Sequence, residues 1–322
     1  MNERASEITA TIPETAAGQR LDRALAELLP DFSRSRLQQW LRQGELTVDG
    51  TPRRARDRVA GGEHVCLCAA EPEASPAVAP EPMDLQVVHE DDDLLVIDKP
   101  AGLVVHPGAG NPDGTLENAL RHRHPHLEGV PRHGLVHRID KDTTGLLVVA
   151  LSERAHARLT AQIEARTMGR EYHALVAGTF TAGGTVDAPI GRHPRDRKRM
   201  AVVDGGRPAR THYRVAERFA AHTLLRVTLE TGRTHQIRVH MASIRHPLVG
   251  DPVYGGRLRL PPRADDAVRT ALGGFRRQAL HAARLQLEHP RSGEPVEWSA
   301  PRPADFEALL GVLRDHAAGA EG

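Results

Sequence analysis

Residues 69–84 read AAEPEASPAVAPEPMD, with four prolines and neither the period of a helix nor the alternation of a strand. Proline lacks a backbone N–H and fixes φ, so no helix interior or sheet ladder runs through such a stretch. Whatever folds on either side of it must close its own core. The composition predicts an extended linker at 71–84. It joins a small unit at 17–70 to a larger one at 85–316, with tails at 1–16 and 317–322. At 322 residues the chain is long enough to give both units a core.

Hydrophobic content of 39% and charged content of 26% fit a soluble globular protein. The longest strongly apolar run, 146–151, falls far short of the roughly 20 residues of a membrane span. The N-terminus MNERASEITATIPETAAGQR lacks the basic-then-apolar order of a secretory signal. Cys66 and Cys68 are the only cysteines, which excludes a disulfide framework and a four-cysteine zinc site. Their i, i+2 spacing suggests two small buried thiols on one face of a strand. A cytoplasmic location is the simplest reading.

The formal net charge of +1 conceals segregation. No Lys or Arg occurs between Arg58 and Lys99, whereas 192–218 holds eight arginines and Lys198 against three acids. Such a patch is compatible with a polyanionic partner. On charge alone it equally describes a solvated face.

Within the small unit, Leu21, Ala24, Leu25 and Leu28 recur at helical spacing, and Ser33 is placed to cap a second helix carrying Leu37, Trp40 and Leu41 on one face. ELTVDG and GGEHVCLCA read as strands. The larger unit mixes strands near 85–105, 169–178, 209–219, 222–231 and 281–299 with helices near 114–125, 152–166, 235–244 and 303–316. Strands follow strands without regular βαβ alternation, which predicts an α+β unit with a mixed, mostly antiparallel sheet.

Four segments of the larger unit set polar groups against apolar neighbours. In HRIDKDTTGLLVVA, Asp140 immediately precedes a run that must be buried, where burial and cationic neighbours act on a carboxyl in opposite directions; a turn-forming Asp fits the same pattern. In TGRTHQIRVHMA, Arg238 and Met241 share a helical face, as do Gln236 and His240, with Arg233 at the entrance. An arginine there suits pairing with a buried carboxylate, and an exposed basic face is the competing description. In GREYHALVAG, Tyr172 is one of only three tyrosines and offers either a core contact or a stacking surface for a nucleobase. LVVHPGAGNPDGT is a turn-rich loop without a P-loop or GxGxxG pattern, so nucleotide-cofactor binding is unsupported. His133 and His137 lie four apart before Asp140, but the intervening residues are not helix-like and match no common zinc spacing.

Together HRIDKDTTGLLVVA, REYHALV, ETGRTHQIRVHMA and HPLVGDPVYGG, preceded by KPAGLVVHPGAGNPDGT, resemble the signatures of RluA/RluD-type pseudouridine synthases, and most of all the RluD branch. SRSRLQQWLRQGELTVDG with GGEHV is similar to an S4 RNA-binding domain. The resemblance spans roughly 15–315. It implies a pseudouridine-synthase fold, a central mixed sheet flanked by helices, plus a small N-terminal α+β S4 domain.

The resemblance further implies isomerisation of uridine in 23S large-subunit ribosomal RNA, by analogy in the helix 69 stem-loop, with no cofactor and no metal. Asp140 is then the catalytic group, Tyr172 the residue packing on the base, and Arg238 the salt-bridge partner of Asp140. His106, His137, Arg138, Arg233 and His235 become cleft or RNA contacts. Arg34, Arg36, Arg42, Arg53 and Arg54 become RNA contacts of the S4 domain. The partner is 23S ribosomal RNA or a pre-50S particle, without a membrane, and the chain acts as a monomer. The rival from another class is a non-catalytic S4-type RNA-binding or ribosome-assembly protein. It has no need of Asp140, Tyr172 and Arg238 together.

Overall fold

The computed structural model describes residues 5–29, 32, 34–70, 78–108, 110–196 and 198–320. The chain divides into two units at Ala77/Val78.

The first unit comprises β1 (Ala5–Thr11), α1 (Leu21–Leu28), α2 (Arg34–Gln43), β2 (Leu46–Val48) and β3 (His64–Ala70). The strands form an antiparallel sheet in the order β1-β3-β2. Leu21, Ala24 and Leu25 of α1 are buried with Leu37, Trp40 and Leu41 of α2, as their spacing predicts, and they share a core with Val65 and Leu67 of β3. Each large side chain so buried contributes roughly 1.5–3 kcal/mol. Gly44 ends α2 at φ 79, the left-handed conformation that stops a helix. Ser33 lies outside the described residues.

Two expectations are corrected in this unit. Residues 5–16 of the expected 1–16 tail are ordered in the fold, because 5–11 pairs along the whole length of β3 and covers an edge that would otherwise stay open. Ile12 and Ala16 are buried behind it. Cys66 and Cys68 share a face as predicted, but Val65 and Leu67 occupy the core side of β3. The cysteines are therefore half-buried and exposed, with their sulfurs 3.2 Å apart.

The second unit contains β4 (Val87–Glu90), β5 (Leu94–Lys99), α3 (Leu116–Arg123), β6 (Thr144–Ala150), α4 (Glu153–Ala165), β7 (Gly169–Ala177), β8 (Gly184–Asp187), β9 (Ile190–Arg192), β10 (Met200–Val202), β11 (Arg210–Arg218), β12 (His222–Leu229), α5 (Gln236–Ser243), α6 (Asp266–Gly274), β13 (Leu280–Glu288), β14 (Pro295–Ser299) and α7 (Ala304–Ala320). Nine strands form one sheet in the order β4-β5-β6-β13-β7-β12-β11-β8, with β14 on β13, while β9 and β10 make a separate ribbon. Every pairing in the large sheet is antiparallel except β6 with β13. This is the mixed, mostly antiparallel α+β arrangement expected.

All seven residues of β6 are buried. Leu147 and Val149 face one core with Leu120, Leu135 and Ile139, and Leu146, Val148 and Ala150 face another with Ala155 and Leu159 of α4. A strand covered on both faces reads as a continuous apolar run, which accounts for TGLLVVA. The strand begins with a tight fit. A Cβ on Gly145 would lie 2.2 Å from the Ala282 carbonyl oxygen, and its φ is 107.

Residues 78–84 do not behave as free linker. Asn118 donates to the Ala79 carbonyl at 2.8 Å, and the Glu81 carboxylate accepts from Gly114 N–H at 3.0 Å, pinning the segment against α3. Residues 71–77 lie outside the described residues. At the other end α7 continues through 317–320, part of the expected tail.

Candidate active site

Asp140 stands at the end of the loop 135–143 that feeds β6, and buried polar contacts fix this loop. Lys99 is fully buried, and its Nζ donates to the carbonyls of Pro100 at 2.7 Å, Leu103 at 2.9 Å and Lys141 at 2.8 Å. Gly102 N–H reaches the same Lys141 carbonyl. Gln278 donates to Thr143 Oγ1 at 3.0 Å, and Thr144 Oγ1 bonds His281 Nδ1 at 2.9 Å. Thr143 and Thr144 are thus buried with their hydroxyls hydrogen-bonded, while Lys141 stays exposed and contributes only its backbone carbonyl. Burial pushes the Lys99 ammonium down to about 7.

The guanidinium of Arg238, on α5, is bonded on three sides. Nη1 donates to Asp140 Oδ2 at 3.0 Å, while Nε and Nη2 form a fork to Asp251 at 2.7 and 2.9 Å. The Asp251 side chain is fully buried, and its Oδ1 also accepts the N–H groups of Val253 and Tyr254 at 2.8 and 3.0 Å. Burial alone raises the Asp251 carboxyl, but the Arg238 hydrogen bonds and charge outweigh it and hold the group below the usual carboxylate range. For Arg238, burial is likewise outweighed by Asp251 and Asp140, which raise it. The expected pairing of Arg238 with Asp140 is present. Its stronger partner, Asp251, is a residue the sequence left without a role, although HPLVGDPVYGG stood out as a segment.

Asp140 and Arg238 open onto a cavity of about 520 Å³ whose lining includes Tyr172, His106, His137, Arg138, Arg170, Arg233 and His235. Tyr172 is 6% exposed, and burial raises its hydroxyl. Tyr254 sits behind the arginine, with the Arg238 guanidinium 5.1 Å from its ring centroid and its hydroxyl bonded to His235 Nδ1 at 2.9 Å. His235 adopts φ 56 at the start of α5. Gln236 fixes this entrance, accepting from Thr231 Oγ1 at 2.8 Å and Arg233 N–H at 3.0 Å, and donating to Arg210 O and Thr211 Oγ1 at 3.0 Å each. Gln236 and His240, expected to share a helical face, are both buried and tie α5 to β11, which sets aside the competing description of an exposed basic face for these two residues.

The residues expected to contact RNA fall into distinct environments. His137 Nε2 accepts the Val148 N–H at 3.0 Å, beyond the point where β6 and β13 stop pairing. Burial drives its ring down to about 3, so it is a neutral spacer with one nitrogen committed to the backbone. His133 turns instead to Glu117, so the two histidines do not converge with Asp140. Arg138 is exposed at the rim, and Arg233 Nε donates to Pro208 O at 3.1 Å. Burial lowers both His235 and Arg233. Arg170, which had no assigned role, lines the same cavity with its Nε buried and, among the described residues, without a hydrogen-bond partner.

In the first unit, Arg34 bonds the fully buried Asp22 at 2.8 Å, beside Arg20 and Gln38. The Arg20 hydrogen bond leads in holding Asp22 down to about 2. Arg53 lies 3.6 Å from Asp57, Arg42 and Arg54 are exposed, and the Arg36 side chain lies outside those described.

Residues 93–243 match the RNA pseudouridylate synthase family, and residues 19–65 match the S4 domain. The chain is 56% identical over 309 residues to the ribosomal large subunit pseudouridine synthase D of Xanthomonas campestris pv. campestris, covering 96% of this chain and 93% of that one. It is also 56% identical over 305 residues to the protein of the same name from Pseudomonas aeruginosa, covering 95% of each. Among solved structures, Human RNA Pseudouridylate Synthase Domain Containing 4 superposes with a TM-score of 0.56 at 27% identity, covering 71% of this chain and 93% of that one.

Proposed function

The chain belongs to the RNA pseudouridylate synthase family and carries an S4 domain, and from this premise we propose that it isomerises uridines in the helix 69 stem-loop of 23S ribosomal RNA, with Asp140 as the catalytic group. Large-subunit ribosomal RNA as the substrate class is supported by relatives at 56% identity across nearly the whole chain. The observation that carries the catalytic reading is the convergence of Asp140, Arg238 and Tyr172 on one cavity, a combination built around a carboxylate that RNA binding alone does not require.

Isomerisation breaks the bond from C1′ to N1, turns the uracil, and joins C5 to C1′; C5 gives up its proton and the freed N1 takes one up, so the atoms balance. The reaction is redox-neutral and the base never leaves the site. Asp140 acts on the substrate as a carboxylate, by nucleophilic attack or by removing a ribose proton. The Arg238 hydrogen bond falls on Oδ2, which leaves Oδ1 for the substrate. Turning the uridine out of its stack costs a few kcal/mol, and packing on the Tyr172 ring offsets about 1–3 kcal/mol of it. Leu135, Ile139, Ile237 and Leu280 line the same cavity and restrict water around the detached base. Arg34, Arg42, Arg53 and Arg54 of the first unit, and Arg138 and Arg233 of the second, supply phosphate contacts in this reading. The chain works as a cytoplasmic monomer on 23S RNA or a pre-50S particle.

The test is Asp140→Asn with a helix 69 transcript. RNA binding survives while pseudouridine formation, read by base-resolution mapping, vanishes. Retained turnover overturns the assignment of Asp140, and modification confined to other helices overturns the target.

A further inference from the structure

One cluster of titratable groups has no part in the chemistry above. Glu117, in the first turn of α3, has a side chain only 10% exposed, and two histidines from separate loops turn Nδ1 toward it. His106 lies 3.1 Å from Oε2 and His133 lies 2.5 Å from Oε1. A carboxylate only accepts, so each Nδ1 carries a proton and each Nε2 is left for another partner. Among the described residues neither Nε2 has one. The backbone is held in an unfavourable shape to reach this arrangement. Arg132 and His133 have φ of 52 and 49, each at about 1–3 kcal/mol.

His106 and Arg132 both line the cavity, and among the described residues Arg132 makes no ion pair. With both Glu117 oxygens engaged by Nδ1 atoms, each ring once protonated has an Nε2–H donor left over, and Arg132, next to His133 in sequence, brings further N–H donors to the cavity lining. A ligand rich in anionic oxygen fits them. Resting on the reading of the chain as an RNA-modifying enzyme, we propose that His106, His133 and Arg132, backed by Glu117, form a phosphodiester-binding site for the RNA strand at the cavity rim, and that RNA binding there takes up protons.

The coupling follows from the tautomer. A neutral ring with its proton on Nδ1 offers a lone pair at Nε2 and repels phosphate; only the protonated ring donates. Burial raises Glu117, but the two histidine hydrogen bonds outweigh it and keep the carboxyl below its usual range, so it stays charged beneath the rings. The neighbouring groups do not mimic this response. His137 and His235 are held down by burial, and His156 on α4 by burial and Arg132. Arg121, on the same helix as Glu117, is engaged by Val78 O and Glu128. Arg138, Arg166 and Arg170 keep their charge throughout the range.

The full chain is titrated with a helix 69 transcript between pH 6 and pH 8 at fixed ionic strength, and pseudouridine formation is followed in parallel. The wild-type Kd tightens at least tenfold from pH 8 to pH 6, whereas Glu117→Gln, which cannot accept from both rings, shifts threefold or less. At pH 6 the variant's salt slope falls by about 0.7–0.9 for each phosphate it no longer neutralises. Where Glu117→Gln fails to keep a wild-type melting profile, His106→Asn reads the same slope at a partly exposed position. Equal pH slopes in wild type and folded variant overturn the site. A chain that binds RNA with this slope yet forms no pseudouridine overturns the functional reading instead.

Discussion

Replacing Arg238 with methionine tests which carboxylate depends on it. The arginine serves Asp140 through one hydrogen bond and Asp251 through two, and the Asp251 side chain is fully buried where that of Asp140 is 17% exposed at the cavity. Removing one partner of a buried ion pair costs about 3–5 kcal/mol, because the remaining charge keeps its desolvation penalty. For a unit of this size that is a fall in Tm of roughly 6–20 °C. The loss should trace to Asp251. Adding Asp251→Asn to Arg238→Met therefore recovers most of the stability, since a neutral amide needs no counter-charge and still accepts the Val253 and Tyr254 N–H groups. Adding Asp140→Asn recovers much less.

The sign with pH follows. Without the arginine, burial raises the Asp251 carboxyl above its unfolded value, so the folded state binds more protons and stability falls as pH rises through the raised value. The deficit of Arg238→Met is then largest at neutral pH and shrinks toward pH 4. Urea melts of wild type, the single and the double variants across pH 4–8 give the coupling energies directly. Equal rescue by Asp140→Asn and Asp251→Asn would refute the assignment of Asp251 as the main anchor.

Lys99 supplies a stability prediction of opposite slope. With its ammonium pushed from 10.5 to about 7, the unfolded chain binds more protons between those values. Its burial penalty, on the order of 5 kcal/mol, is full below pH 7 and recedes as pH rises toward 10.5. Lys99→Met should abolish that rise in urea melts, and a slope matching wild type would contradict it. Gly145→Ala, combining φ 107 with a Cβ 2.2 Å from Ala282 O, should cost about 2–5 kcal/mol in the same measurement; a loss under 1 kcal/mol would show that β6 can shift. Tyr172→Phe should keep the stacking surface and near-normal KM, whereas Tyr172→Ala should weaken RNA engagement by roughly 5- to 150-fold. Equal effects of the two substitutions would count against packing on the base.

The two-unit division was legible in the prolines of 69–84, and β6 was legible because a strand covered on both faces has a continuous apolar run. The α1 and α2 stripes were equally direct. What the residues concealed was long-range pairing. ASEITAT carries no strong strand signal, and its order comes from the open edge of β3, a partner more than fifty residues away. The same holds for Asp251, whose ligand is thirteen residues distant and whose importance lies in the burial of its fork. His137 reads as a cleft residue from its place beside Asp140 and does line the cavity, but nothing in the sequence showed that its Nε2 accepts a β6 amide that β13 leaves free.

One guanidinium shared by two carboxylates has an effect beyond anchoring. The floor of the cavity keeps a formal charge of −1, while the lining arginines Arg132, Arg138, Arg166, Arg170 and Arg233 exceed Glu164 and Glu230 by three positive charges. A phosphate within 4 Å of such a floor meets a repulsion of about 4 kcal/mol at an effective dielectric of 20. Neutral uracil meets almost none. For the proposed RNA substrate, this charge pattern favours the base over the backbone at the floor of the cavity.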